Sequence, residues 1–289
     1  MSEKFWKLGI IGWPLGYSLS PKMHTAALKA AGLQGEYKEY KVKPEELENW
    51  LAVEAPKLDG FNVTMPHKTA VWEHIDKHGK FGAPFPELVR DIGAVNTVRV
   101  ENGRLSGYNT DGPGFMEPFG RPGALRGKEV LLLGAGGAAR AIAVYLASAE
   151  QVGSLSIWNR HPERAEELVA RVNGLRLSCR ASAVKDLSKA PLGRMALIVN
   201  ATPTGMNKHE DSPIECGRLR EGQVVYDIVY DPRETRLIAG ARKQGCRVIR
   251  GDEMLAGQGA VAFEIWTRVP AAKILPVMEK ALDDHFAVV

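Results

Sequence analysis

Short apolar runs alternate with longer amphipathic stretches along most of this chain. Leu8-Gly9-Ile10-Ile11-Gly12 is a compact apolar run closed by glycine and reads as a buried strand. Ser20-Pro21 then opens a segment running to Ala30-Ala31-Gly32. Serine at the cap, proline in the first turn and glycine past the end predict a helix of about three turns. Glu36–Val42 alternates like a strand, and Pro44–Val53 places Leu47, Trp50 and Leu51 on one helical face. Gly60–Thr64 reads as a strand running into a proline-bearing loop. Ala94–Val100 and Arg104–Gly107 flank Asn102-Gly103, a hairpin signal.

The middle of the chain is more regular. Strands are predicted at Glu129–Leu133, Ser154–Trp158, Met195–Val199, Gln223–Ile228 and Cys246–Ile249. Helices are predicted from the glycines after Leu133 to about Ala149, at Pro162–Val172 and at Arg233–Gln244. Strand–helix alternation at this spacing implies βαβ units and a mostly parallel sheet. The last part is helical, Glu253–Trp266 and Ala271–Asp283, and no internal repeat or low-complexity tract is present.

Composition narrows the picture. A chain of 289 residues can hold one large domain or two ordinary ones, with a core that needs no disulfide or metal staple. Hydrophobic content of 45% with 25% charged residues excludes a disordered or collagen-like chain. No apolar run is long enough for a transmembrane helix, and the N-terminal MSEKFWKLGIIG reaches glycine too soon for a signal-peptide core. The expected location is the cytoplasm. Cys179, Cys216 and Cys246 form no CxxC pair and read as reduced structural thiols. The seven histidines show no metal-ligand spacing, so no metal is expected. Met206 and Trp266 read as packing residues.

The net charge of +4 is unevenly spread. Residues 1–111 are balanced, 112–250 carry +7, and 251–289 carry −3. The positive middle fits a polyanion or a phosphate-bearing cofactor. Its charges are scattered and no nucleic-acid motif accompanies them, so nucleic acid is disfavoured.

Gly134-x-Gly136-x-x-Ala139 follows a predicted strand and opens a predicted helix, which is the dinucleotide fingerprint. Gly134 permits the tight turn. Gly136 lets a pyrophosphate approach the backbone, and Ala139 lets helix and strand pack closely. The helix start supplies free N–H groups for the phosphates. The next strand ends in Trp158-Asn159-Arg160-His161, without the acid that would bind a ribose 2′-hydroxyl. Arg160, with Arg164 a turn later, suits a 2′-phosphate and therefore NADP. Reduction of a carbonyl also needs a proton for the developing alkoxide. Lys68, in Asn62-Val63-Thr64-Met65-Pro66-His67-Lys68, and Asp111, in Gly107-Tyr108-Asn109-Thr110-Asp111, are the candidate pair. Asp111 could equally be a simple helix cap.

Taken together, these segments resemble the shikimate dehydrogenase family. The resemblance rests on GWPLGYSLSP at 12–21 with His24, NVTMPHK at 62–68, GAVNT at 93–97 and GYNTDG at 107–112. It continues through GAGGAAR at 134–140, Asn159-Arg160, NATPTGM at 200–206, Asp227, Tyr230-x-Pro232-x-x-Thr235, and Gly251 with Met254, Leu255 and Gln258.

The resemblance implies two α/β domains with the active site in the cleft between them. A substrate-binding catalytic domain would comprise 1–111 plus C-terminal helices at 252–289, with a Rossmann-type NADP-binding domain at 112–251. It implies Lys68 and Asp111 as catalytic residues, and Ser18 and Ser20 as donors to a substrate carboxylate. Asn62, Thr64, Asn96, Asp111 and Gln258 would hold ring hydroxyls, and Tyr230 would also reach the substrate. Gly134, Ala135, Gly136, Gly137, Ala138, Asn159, Arg160 and Arg164 would contact NADP. Ile228, Gly251 and Met254 would lie near the nicotinamide, with Glu87 at the domain interface. His24 would pack or hydrogen-bond below the site.

The implied reaction is reversible NADP-dependent reduction of 3-dehydroshikimate to shikimate by a monomer or homodimer. The alternatives are a quinate/shikimate dehydrogenase of broader range and, more distantly, a non-catalytic NADP-binding regulator. Four positions depart from the family pattern: Tyr17 for histidine, Thr25 for asparagine, His161 for threonine and Arg268 for glycine.

Overall fold

The N-terminal apolar run forms strand β1 (Trp6–Gly12), with Leu8, Ile10 and Ile11 buried. Helix α1 (Ser20–Ala30) carries Pro21 in its first turn, where the missing N–H costs nothing. Strand β2 (Gly35–Lys41) pairs parallel with β1. Helix α2 (Leu47–Val53) buries Leu47, Trp50 and Leu51, the face its periodicity predicts; the preceding Pro44–Glu46 is a separate 3₁₀ turn. Strand β3 (Gly60–Val63) lies on the other side of β1.

Next come helix α3 (Lys68–His78), the short strand β4 (Lys80–Phe81) and helix α4 (Pro86–Ile92), none of which the sequence pattern predicts. The reason is visible in α3, where only Val71 and Ile75 are buried, Trp72 is partly buried, and most of the other side chains are polar. Strands β5 (Thr97–Glu101) and β6 (Arg104–Tyr108) form the expected hairpin, with Asn102 and Gly103 at φ 52° and 74°. Helix α5 (Asp111–Met116) follows. The first sheet runs β2-β1-β3-β5-β6-β4 and mixes parallel and antiparallel pairs.

The second sheet is parallel throughout. It comprises β7 (Glu129–Leu133), β8 (Ser154–Trp158), β9 (Arg180–Ala183), β10 (Leu197–Asn200), β11 (Val224–Asp227) and β12 (Arg247–Arg250). Their order is β12-β11-β10-β7-β8-β9, the doubly wound Rossmann order. Helices α6 (Gly137–Ser148), α7 (Pro162–Gly174) and α8 (Arg236–Lys243) connect these strands. The alanine-rich α6 buries Ala139, Ile142, Ala143 and Leu146, so small side chains let it lie close on the sheet. Helix α8 starts later than the pattern predicts, because the Thr235 hydroxyl accepts the Ile238 N–H and caps it there.

Helices α9 (Gly251–Thr267) and α10 (Ala271–Phe286) complete the chain. The computed structural model describes residues 4–16, 18–83, 86–207 and 211–287. It divides into two compact units, Met1–Gly114 with Ala256–Val289, and Phe115–Leu255. Trp266 anchors α9 in the first unit. It is 1% exposed, its indole N–H donates to Val98 O at 2.9 Å, and Gly60 leaves the space its ring fills. Truncating such a residue to alanine costs about 3–5 kcal/mol. Met206 does not pack as expected: it sits 57% exposed in the turn after β10. Asn200 Oδ1 accepts from both the Thr202 N–H and its hydroxyl there, which stabilises a local turn. At Arg268 the backbone is left-handed, φ 68°, just past the end of α9. That conformation suits the glycine usual in the resembled family.

Candidate active site

Lys68 is the first residue of α3, and its position is fixed by backbone bonds on both sides. The Thr64 N–H donates to Ile11 O, and the His67 N–H donates to Thr64 O. Lys68 O accepts the Val95 N–H at 2.9 Å. His67 is buried, with Nε2 2.7 Å from Val42 O, so this histidine is structural. Asp111 opens α5 after β6. Its N–H donates to Asn109 Oδ1, and Asn109 Nδ2 donates to Ala94 O, each at 3.0 Å. These two local frames bring Lys68 Nζ to 2.5 Å from Asp111 Oδ2. The side chains are 18% and 7% exposed, so the pair is largely withdrawn from water but mutually satisfied.

A polar network extends from this pair through the interior of the first unit. Asn96 Nδ2 donates to Asp111 Oδ1 at 2.8 Å and to Thr110 Oγ1 at 3.0 Å, while Asn96 Oδ1 accepts the Thr110 N–H at 2.8 Å. Asn62 Nδ2 donates to Thr97 Oγ1 at 3.0 Å and to Asn96 O at 3.3 Å. Because Asn96 O can only accept, it dictates which way the Asn62 amide faces. Asn62 Oδ1 then accepts the Tyr37 hydroxyl at 2.7 Å. Both amide protons of Asn62 and of Asn96 are therefore taken within the protein, and Asn62 has only an oxygen lone pair left to offer.

Gln258 joins the same network through the Thr110 hydroxyl at 3.5 Å. The Ser18 hydroxyl accepts the Ser20 N–H at 3.3 Å at the entrance to α1. Thr64 is half-buried at the end of β3.

Tyr37 is the residue that sequence reasoning missed. It is buried in β2, and burial holds its phenol well above the ordinary value, with the Ser20 side chain acting in the opposite direction. It thus sits between two expected ligand-binding residues that are 42 positions apart in the chain. Its ring stacks on His24 at 4.4 Å between centroids and 6° between planes. His24 packs without hydrogen bonds: neither ring nitrogen has a partner, and burial lowers its pKa to about 3.

The second unit carries the glycine turn of the expected dinucleotide fingerprint. Gly134 follows β7 with φ +116°, and a Cβ there would come within 2.6 Å of Ala201 O. Only glycine fits that turn. At Gly136, by contrast, a Cβ would meet nothing within 4 Å, so the space above the start of α6 is open. This crevice lies where strand order reverses between β7 and β10, the usual dinucleotide position. Exposed Gly136 and half-buried Ala135, Gly137 and Ala138 line the turn. The open crevice, the free helix start and the basic side chains beyond β8 fit a dinucleotide with a 2′-phosphate.

Arg160 and Arg164 are exposed beyond the end of β8, with no ion-pair partner among the described residues. Asn159 Nδ2 donates to His161 O at 3.0 Å, and His161 Nδ1 lies 3.7 Å from Glu163. Ile228 donates its N–H to Asn200 O, and Gly251 packs directly on the Ile228 carbonyl. Met254 is buried in the core of this unit. Half-buried Tyr230 follows β11, with burial raising its pKa. Glu87 is exposed in the first turn of α4, and Thr25 is exposed on α1. Tyr17 lies outside the described residues.

One unit with a mixed sheet and a lysine–aspartate pair at the starts of two helices, and a second unit with a parallel Rossmann sheet and an open glycine turn, define a nicotinamide-dinucleotide-dependent oxidoreductase. Residues 10–98 match the shikimate dehydrogenase substrate-binding domain, and residues 120–234 match shikimate/quinate 5-dehydrogenase. A shikimate dehydrogenase (NADP(+)) of Moorella thermoacetica is 43% identical, covering 95% of this chain and 93% of that protein. The Thermus thermophilus shikimate 5-dehydrogenase, solved with NADP(H) and shikimate, aligns with TM-score 0.78 and 36% identity over 96% of this chain and 99% of that one. A Gluconobacter 5-ketofructose reductase aligns with TM-score 0.84 and 33% identity over 98% and 99%. The chain belongs to the shikimate dehydrogenase family.

Proposed function

We propose that the protein catalyses the reversible, NADP-dependent reduction of 3-dehydroshikimate to shikimate. The observation that carries this reading is the Lys68–Asp111 pair, 2.5 Å apart and embedded in a hydrogen-bonded polyol-type site. Bound NADPH supplies the hydride for the ring ketone. Lys68 Nζ gives a proton to the oxygen as it becomes an alkoxide. Asp111 holds the ammonium in place, and Asn96 in turn holds Asp111, which makes Asn96 a positioning residue. Asn62 offers an acceptor to a ring hydroxyl, as its own protons are committed.

Thr64, Gln258 and Tyr230 complete the ring contacts in this reading. Ser18 and Ser20, with the N–H groups at the start of α1, receive the carboxylate. In the second unit, Gly134, Ala135, Gly136, Gly137 and Ala138 cradle the pyrophosphate. Arg160 and Arg164 grip the 2′-phosphate, assisted by Asn159. Ile228, Gly251 and Met254 belong to the nicotinamide end, and Glu87 is assigned a supporting place. We assign the working form to a monomer or homodimer in the cytoplasm, a reducing compartment that suits three free cysteines.

Steady-state kinetics crossing shikimate, quinate and fructose with NADP and NAD test substrate and cofactor together. Fructose is included because a 5-ketofructose reductase shares the fold. Highest kcat/KM with shikimate and NADP is expected, with Arg160→Ala raising KM for NADP more than for NAD. Equal or better turnover of quinate or fructose would overturn the substrate assignment.

A further inference from the structure

Away from that site, one side-chain cluster on the first unit combines metal-ligand chemistry with suitable geometry. His74 and His78 are one turn apart on α3, so both imidazoles project from the same face. Their ring centroids are 5.0 Å apart. Glu48, in the first turn of α2, brings Oε1 to 3.0 Å from His74 Nδ1. One donor atom from each of the three residues lies within 4.8 Å of the other two. The His74 side chain is only 11% exposed and is held in place, whereas Glu48 is 74% exposed and free to adjust. His78 is also exposed.

We propose that Glu48, His74 and His78 form a binding site for a divalent transition-metal ion of the zinc class, which clamps α2 to α3. Two imidazoles and one carboxylate are a donor set that suits Zn²⁺, whereas Mg²⁺ and Ca²⁺ prefer oxygen ligands alone. Three protein ligands leave the remaining coordination to water. A plain Glu48–His74 ion pair would use two of these groups and leave His78 without a part. The histidine spacing alone did not reveal the site, because its third ligand comes from 26 positions away. His78 closes α3 and Lys68 opens it, so the cluster lies about 15 Å along the helix from the lysine. The ion therefore acts as a clamp and takes no part in the hydride chemistry.

The test uses untagged, chelator-treated protein titrated with Zn²⁺ and, separately, Mg²⁺ by calorimetry, with thermal melts in parallel. One Zn²⁺ per chain is expected, with a melting temperature several degrees higher at saturation. His78→Ala, an exposed change, is expected to weaken Zn²⁺ binding roughly tenfold or more and abolish the melt shift, with turnover unchanged. Turnover that survives the chelator separates this result from failure of the dehydrogenase reading. No Zn²⁺ binding by the wild type, equal binding by His78→Ala, or equal binding of Mg²⁺ would overturn the proposal.

Discussion

The two units build their candidate binding surfaces from different material. In the first, side chains do the positioning: Tyr37, Asn62, Asn96, Thr97, Thr110, Asp111 and Lys68 form one continuous hydrogen-bonded set in the interior. In the second, the backbone does it: Gly134 turns the chain where a Cβ would strike Ala201, and Gly136 leaves open space. The charged side chains there, Arg160 and Arg164, are exposed and have no ion-pair partner among the described residues. The first surface is pre-organised and sensitive to the loss of a single atom. The second is sensitive to the gain of one.

Substitutions can break this contrast, and the largest effect falls on the lysine. Lys68→Ala is expected to lower kcat by roughly 10²–10⁴-fold with little change in KM for NADPH, read by nicotinamide absorbance. Near-normal turnover would remove Lys68 from the proton-donor role. In the second unit, Gly134→Val and Gly136→Val should part company. The first strains a left-handed turn against Ala201 O, so it should lower the melting temperature as well as NADPH affinity. The second should keep the wild-type melt and lose about tenfold or more in affinity, since a side chain would fill the approach of the phosphates. Equal melts for the two variants would contradict the backbone account.

Acidification sharpens the same contrast, because each unit buries a group, His24 in one and Asp227 in the other, that burial pushes toward its neutral form within the acid range. His24 drops from 6.5 to about 3 through burial, so the unfolded chain binds a proton that the folded unit refuses. Its stability contribution is present above about pH 6.5 and is lost as pH falls toward 3. Asp227 rises from 3.8 to about 6, again through burial, despite hydrogen bonds from Thr235, Val229 and Asn200. Here the folded unit holds a proton that the unfolded chain releases. The contribution of Asp227 to stability is greatest below about pH 4 and is lost as pH rises through about 6.

Between pH 6 and 4 the first unit should weaken while the second strengthens, each by on the order of a few kcal/mol. Hydrogen exchange resolved by unit measures this, and His24→Phe and Asp227→Asn should each flatten its own slope. Parallel slopes in the two units would refute the assignment. The smallest effect is expected at Tyr37. Tyr37→Phe leaves Asn62 Oδ1 without its buried donor, at about 1–3 kcal/mol of stability. Substrate KM should rise several-fold with kcat less affected. An unchanged KM would make the Tyr37–Asn62 bond purely structural.

How much of this was legible beforehand differs between the units for the same reason. The Rossmann half was readable because its determinants are local: Gly134, Gly136 and Ala139 fall within six residues, between a strand and a helix that are contiguous in sequence. Arg160 announces itself two residues beyond a predicted strand. The first half was readable only where a motif is compact, as at Asn62–Lys68. Helix α3 escaped notice because two buried residues, Val71 and Ile75, make too thin an apolar stripe. Tyr37 carries no mark in the alternating stretch Glu36–Val42 that sets it apart from Tyr40. No pattern along the chain shows that the amide protons of Asn96 go to Thr110 and Asp111.

By itself, the sequence determined the parallel cofactor sheet, the glycine turn, the absence of an acid at the ribose position and the identity of the lysine and aspartate. These depend on backbone conformation and side-chain type over short stretches, where local sterics and hydrophobic periodicity decide. Tertiary structure alone decided that Lys68 and Asp111 meet, that Tyr37 orients Asn62, and that Glu48 comes within hydrogen-bonding distance of His74, with His78 one turn further on. Each of these contacts joins residues 25 to 43 positions apart. Their strength comes from directional bonds in a low-dielectric interior, and no pattern along the chain encodes which distant partner a polar side chain will find.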